Sequence, residues 1–63
     1  MNNDELTHVA AEIARLVIED GRVEGEGEEW LASLGVEVAF EADEQGYENA
    51  TEIAEEAVRL YTK

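Results

Sequence analysis

The sequence predicts an all-α fold, a compact bundle of three to four short helices. Apolar residues recur at three- and four-residue steps near both ends of the chain, Asn and Gly stand where helices start and stop, and no Pro occurs in the 63 residues. A chain of this length makes one domain, residues 1–63, and buries only about 60% of the surface its unfolded form exposes. It has no Cys, so neither a disulfide nor a thiolate metal site can staple it. Oligomerisation, as a homodimer, is the remaining common staple.

The first helix is expected over residues 3–20. Leu6, Val9, Ala10, Ile13, Leu16 and Val17 line one face, Asn2 or Asn3 caps it, and Asp4 and Glu5 suit the positive end of its dipole. Gly21 supplies the left-handed residue that ends it. Residues 21–27 interleave Gly with Glu and read as a loop. A short second helix follows at residues 28–34, turning Trp30, Leu31 and Leu34 inward and stopping at Gly35.

Residues 36–44 carry two periodicities. Val36, Val38, Phe40 and Ala42 alternate with polar or small residues, as in a strand, whereas Glu37, Glu41, Glu44 and Glu48 fall at steps of four, three and four, as on a helix. The helix is the preferred reading, because a lone strand in so short a chain lacks a partner. The alternative is an α+β fold with one short strand or hairpin at residues 36–42. Gly46 breaks this segment, and Asn49 caps a last helix with Glu52 three residues on. Ala50, Ile53, Ala54, Ala57, Leu60 and Tyr61 form its apolar face, and Glu55 and Arg59 make an i,i+4 pair. The expected core or dimer seam comprises Leu6, Ile13, Leu16, Trp30, Leu31, Leu34, Phe40, Ile53, Ala57 and Leu60.

Charge is the most distinctive property. Residues 23–58 hold twelve carboxylates and no Lys or Arg, a formal charge of -12 out of -13 for the whole chain. Self-repulsion on this scale opposes compaction, and a cationic partner or a salty medium relieves it. Disorder is not expected, since 44% of the residues are hydrophobic and they are patterned. A pI near 4.1 argues against direct binding of nucleic acid or anionic lipid, whose phosphates would be repelled. No apolar run is long enough for a membrane span and no basic-then-apolar leader is present, so a cytoplasmic protein is expected.

On a helical third segment Glu37, Glu41, Glu44 and Glu48 project from one side, their Cβ atoms roughly 5–6 Å apart. Three successive like-charge pairs cost ~1 kcal/mol in an isolated helix. The spacing is on the scale of phosphates along a nucleic-acid strand. Glu24, Glu26, Glu28 and Glu29, with Glu52, Glu55 and Glu56, extend the same anionic surface. A solvated face is the plain alternative, and halophilic adaptation another. The one-sidedness of the charge favours a binding role, because ordinary solvated faces mix both signs.

In its size, lack of Cys and unbroken acidity over residues 23–58, the chain resembles phage-encoded DNA mimics of the anti-CRISPR and anti-restriction class. The resemblance implies a non-enzymatic inhibitor that occupies the basic groove of a nucleic-acid-binding defence protein, its carboxylates taking the contacts that Lys and Arg make with phosphates. The implied site is Glu24, Glu26, Glu28, Glu29, Glu37, Glu41, Glu44, Glu48, Glu52 and Glu55.

Two metal readings compete. The loop from Asp20 to Glu28 looks like the acidic loop of a helix–loop–helix calcium site, with Gly25 at its sixth place, and would make the chain a weak divalent-cation binder. Its third place is Arg22 and its twelfth Leu31, where oxygen ligands are required, so the pattern is incomplete. The same loop is similar to loops of tellurite-resistance helical domains, which are longer than this chain. Glu5 and His8 form a single Glu-x-x-His step, where di-metal bundles need two. No metal, cofactor or catalytic set is therefore expected: with one His, no Cys and few hydroxyls, a nucleophile–base pair is hard to assemble.

Overall fold

A computed structural model describes residues 1–62. It contains three helices, α1 (Asn3–Glu19), α2 (Glu28–Glu44) and α3 (Ala50–Tyr61), and no strand among the described residues. The all-α bundle follows from capping and packing at each element. Asn2 caps α1, its Oδ1 accepting from the Glu5 N–H at 2.8 Å. Both α1 and α2 end in the same way. Gly21 (φ 74°) donates to the Ile18 carbonyl while Arg22 donates to that of Val17. Gly46 (φ 92°) and Tyr47 repeat these bonds to Asp43 and Ala42. This paired closure needs a left-handed residue, which Gly adopts without strain. Asn49 precedes α3 as expected, but its amide donates to the Glu52 carboxylate at 3.2 Å and caps no backbone N–H.

The predicted break at Gly35 does not occur. The two middle segments form one 17-residue helix, and Gly35 lies inside it. A Gly in a helix interior costs only about 1 kcal/mol against Ala, which packing overrides. Packing is also the reason for it: a Cβ at position 35 would lie 3.1 Å from Val58 Cγ2 on α3. Farther along the same pair of helices, Trp30 meets Tyr61 with ring centroids 5.7 Å apart. Pairing 30 with 61 and 35 with 58 makes α2 and α3 antiparallel neighbours, joined by a short turn.

The strand-like alternation dissolves into two helical columns. Leu34, Val38 and Ala42 are fully buried at steps of four, while Val36 and Phe40 stand exposed on another side of α2. The core is Ala10, Ile13, Ala14 and Val17 from α1, these three from α2, and Ile53, Ala54 and Ala57 from α3. Half of those ten are Ala, so the helices approach closely around a small core. Six of the ten residues expected in the core or a dimer seam lie outside it, and three of these are exposed. Phe40 is 61% exposed, Leu16 45% and Leu60 38%, each lying off the column that faces the bundle centre. Leu6 and Trp30 pack at the core margin, and Leu31 is half-buried.

A tight approach at position 35 has a measurable signature. Gly35→Ala should be more favourable in a Val58→Ala background than with Val58 present, because the helix-propensity gain of up to about 1 kcal/mol emerges once the methyl is gone. Equal effects in the two backgrounds, by chemical denaturation, would show that the contact does not constrain the helix pair.

Candidate anionic binding surface

The loop between α1 and α2 is pinned along α2. Arg22 reaches two carboxylates one helical turn apart, with Nε 3.0 Å from Glu37 Oε1 and Nη1 2.8 Å from Glu41 Oε1. Two residues on, the Glu24 N–H donates to Ser33 Oγ at 3.0 Å. Gly25 then lies against Glu29, whose Cβ is 2.9 Å from where a Cβ of residue 25 would stand. Residues 22–25 thus descend α2 turn by turn towards its N-terminus. Gly supplies the close approach, and Val23 packs against the core. The sequence reads this stretch only as a loop because its composition is polar; the anchoring comes from specific partners.

This strap divides the predicted stripe. Glu37 and Glu41 are half-buried and neutralised by Arg22, with side-chain exposures of 24% and 15%. Hydrogen bonds from Gln45 Nε2 and then from Arg22 hold the Glu41 carboxyl below the usual range, and the two carboxylates raise the Arg22 guanidinium further. Glu44 is exposed at the end of α2, and Glu48 is exposed beyond it, in the turn to α3. The four residues therefore do not form one free anionic row.

Other predicted site residues stay open to solvent. Glu24, Glu26, Glu28 and Glu29 gather at the N-terminal end of α2, and Glu44, Glu48 and Glu52, joined by Asp43, surround its C-terminal end. Residues 28 and 44 are separated by about 24 Å along the helix at 1.5 Å per residue. Glu55 is exposed on α3 but does not pair with Arg59 as expected. Arg59 turns to Glu56 instead, with Nη2 2.7 Å from Oε2. Glu56 also accepts from the Thr7 hydroxyl at 2.7 Å, which ties α1 to α3. Its side chain is 12% exposed. The Arg59 bonds first, and the Thr7 bond second, pull its pKa down to about 2.

Neither metal motif assembles. Among the described residues no three His, Asp or Glu side chains converge as ligands. His8 lies 3.3 Å from Glu12, on the side away from the Glu5 step, with both side chains exposed. Of the hydroxyls, Thr7 and Ser33 are engaged as above, and Thr62 donates to the Val58 carbonyl. No helix is long and apolar enough to cross a membrane among the described residues. Two features of this surface escaped sequence reasoning. Arg22, like Arg59, was legible only as a cation bordering the acidic stretch. The exposed apolar residues Ala32, Val36 and Phe40 were legible only as an excess of apolar positions on α2. Compared with protein families, curated proteins and solved structures, the chain matches none.

Replacing Arg22 leaves Glu37 and Glu41 facing each other without a cation. Arg22→Ala should lower the melting temperature clearly more than Arg15→Ala, which makes the same charge change at an exposed site; adding Glu41→Gln should restore part of the loss. Equal melting temperatures for the two single variants would count against the fork.

Glu56 sets a pH dependence. Its folded pKa is depressed, so the stability it contributes is complete above the unfolded value near 4.5 and is lost as pH falls towards about 2. The stability gap between the protein and Glu56→Gln should be constant at neutral pH and close across that window in urea titrations.

Proposed function

We propose that this chain is a non-catalytic binding protein that offers its anionic surface to a Lys/Arg-rich nucleic-acid-binding protein and inhibits it by taking the contacts that phosphates make. The observation that carries this reading is the unequal treatment of the twelve carboxylates in residues 23–58. Three of them, Glu37, Glu41 and Glu56, are neutralised within the fold. The other nine are exposed and have no cationic partner among the described residues.

Two of the nine are placed against the fold, whereas Glu28, Glu29 and Glu52 sit in first turns, where the dipole favours them. Asp43 and Glu44 occupy the last turn of α2, which has no basic residue there. Carboxylates at the negative end of a helix dipole cost about 0.3–1 kcal/mol each. Sequences that break a local rule without gain elsewhere in the fold do so most often at functional sites. A cationic surface would relieve both the dipole conflict and the mutual repulsion, with charge-assisted hydrogen bonds, bidentate where the partner group is Arg. Duplex DNA would compete for the same basic surface, and salt would weaken the pairing steeply.

The test uses the immobilised protein at low ionic strength. It should retain a Lys/Arg-rich nucleic-acid-binding protein from a bacterial lysate, and duplex DNA should elute it. The triple variant Glu44→Lys, Glu48→Lys, Glu52→Lys spares the Arg22 fork and should weaken retention by about tenfold or more. Retention that ignores both DNA and the triple variant would overturn the mimicry. Failure to retain any cationic protein, together with loss of folding in dilute buffer, would instead favour halophilic adaptation.

A further inference from the structure

α2 carries more apolar surface than the bundle uses. Beside its buried column, Leu31, Gly35 and Ala39 form the floor of an open groove whose other wall is Ala54 and Val58 of α3. Val36 forms part of its outer edge, 51% exposed, and Phe40 follows one turn on, 61% exposed. No residue of α1 lines this groove, so the face lies apart from the one α1 covers. A helix apolar on more than one side is normally covered on each of them.

Charge selects the occupant. Glu28, three residues before Leu31, and Asp43, four after Ala39, continue the floor column past each end of the groove, and both are exposed. Glu55 stands in the α3 wall, and among the described residues no Lys or Arg lines the groove. A second copy of this chain would bring the same acids against these, at a formal charge of -13 per copy. An anionic membrane surface is disfavoured on the same ground.

We propose that this groove receives an amphipathic helix of a partner protein, apolar along its middle and bearing Lys or Arg at both ends. The inference rests on the cationic-partner reading above and adds the form of the partner segment. The floor from residue 28 to residue 43 spans about 22 Å, the length of a helix of about 15 residues. The apolar middle seats against Leu31, Val36 and Ala39, and the terminal cations meet Glu28 and Asp43. Such a helix would stand against α2 and α3 on the side opposite their packing with α1.

Three synthetic peptides of about 18 residues test this. One has Leu at helical spacing with Lys at both ends; the second has the same composition scrambled so that no apolar face forms; the third keeps the apolar face but carries Glu for Lys. By calorimetry and circular dichroism with the intact protein, the first should gain helix and bind about tenfold or more tighter than the scrambled peptide, and the third should not bind. Val36→Ser with Phe40→Ser should abolish that preference without altering the melt, since both side chains are exposed. Glu28→Gln with Asp43→Asn should weaken the first peptide and flatten its salt dependence. Equal binding of the first and second peptides would overturn the groove while leaving the cationic-partner reading intact. So would a dimer in sedimentation that Val36→Ser with Phe40→Ser dissociates, because a second copy would then be the occupant. Absence of binding by every Lys peptide at low salt would overturn the underlying reading itself.

Discussion

Arg22 stands between two carboxylates that would otherwise face each other one helical turn apart. Its fork to Glu37 and Glu41 does more than cancel charge. It fixes the chain leaving α1 against the middle of α2, and from there residues 22–25 follow α2 back to its start. A polar loop with few apolar groups gains little from burial, so its position must come from directed bonds. A guanidinium supplies two such bonds in a fixed geometry, which an ammonium would not. The course of the loop along α2 therefore depends on one side chain, while α1 itself is held through Ala10, Ile13, Ala14 and Val17.

The need for that anchor follows from the core. Ten buried residues, five of them Ala, remove little apolar surface from water. What the small side chains provide is proximity. Ala10, Ala14, Ala42, Ala54 and Ala57 let three helices close around Leu34, Ile53, Val17 and Val38, and Gly35 brings α2 against Val58. No buried side-chain polar atom lacks a partner among the described residues, and the two ion pairs that tie elements together both lie at the rim. The Glu56 carboxylate does for α1 and α3, through Thr7, what Arg22 does for α1 and α2.

Much of the fold was legible because local signals agree with it. Asn2, Gly21 and Gly46 mark helix ends by chemistry that acts within a few residues, and the sequence shows it directly. Gly35 was misread because a Gly that stops a helix and a Gly that admits a neighbouring helix look alike without the neighbour. Phe40, expected in the core or a dimer seam, lies outside the core for a related reason: size and apolarity nominate it for burial, and only its column on α2 keeps it out of the bundle centre. The acidic stripe was legible as a spacing but not as a surface. Nothing along residues 36–48 reveals that Arg22, well outside the row, returns to neutralise Glu37 and Glu41 while sparing Glu44 and Glu48.

That division gives the surface its shape. Were all twelve carboxylates free, α2 would present one continuous negative stripe, suited to any polycation. With Glu37 and Glu41 consumed, the unneutralised acids on α2 collect at its two ends, and the exposed residues between them include Val36 and Phe40. Charge alone attracts broadly and is screened by salt, whereas an apolar strip of fixed length between two anionic ends can sort one cationic partner from another. On the proposed binding role, the ion pairs that secure the loop would also separate attraction from selectivity on the outer side of the bundle, the first falling to Glu28, Asp43 and their neighbours and the second to the groove between α2 and α3.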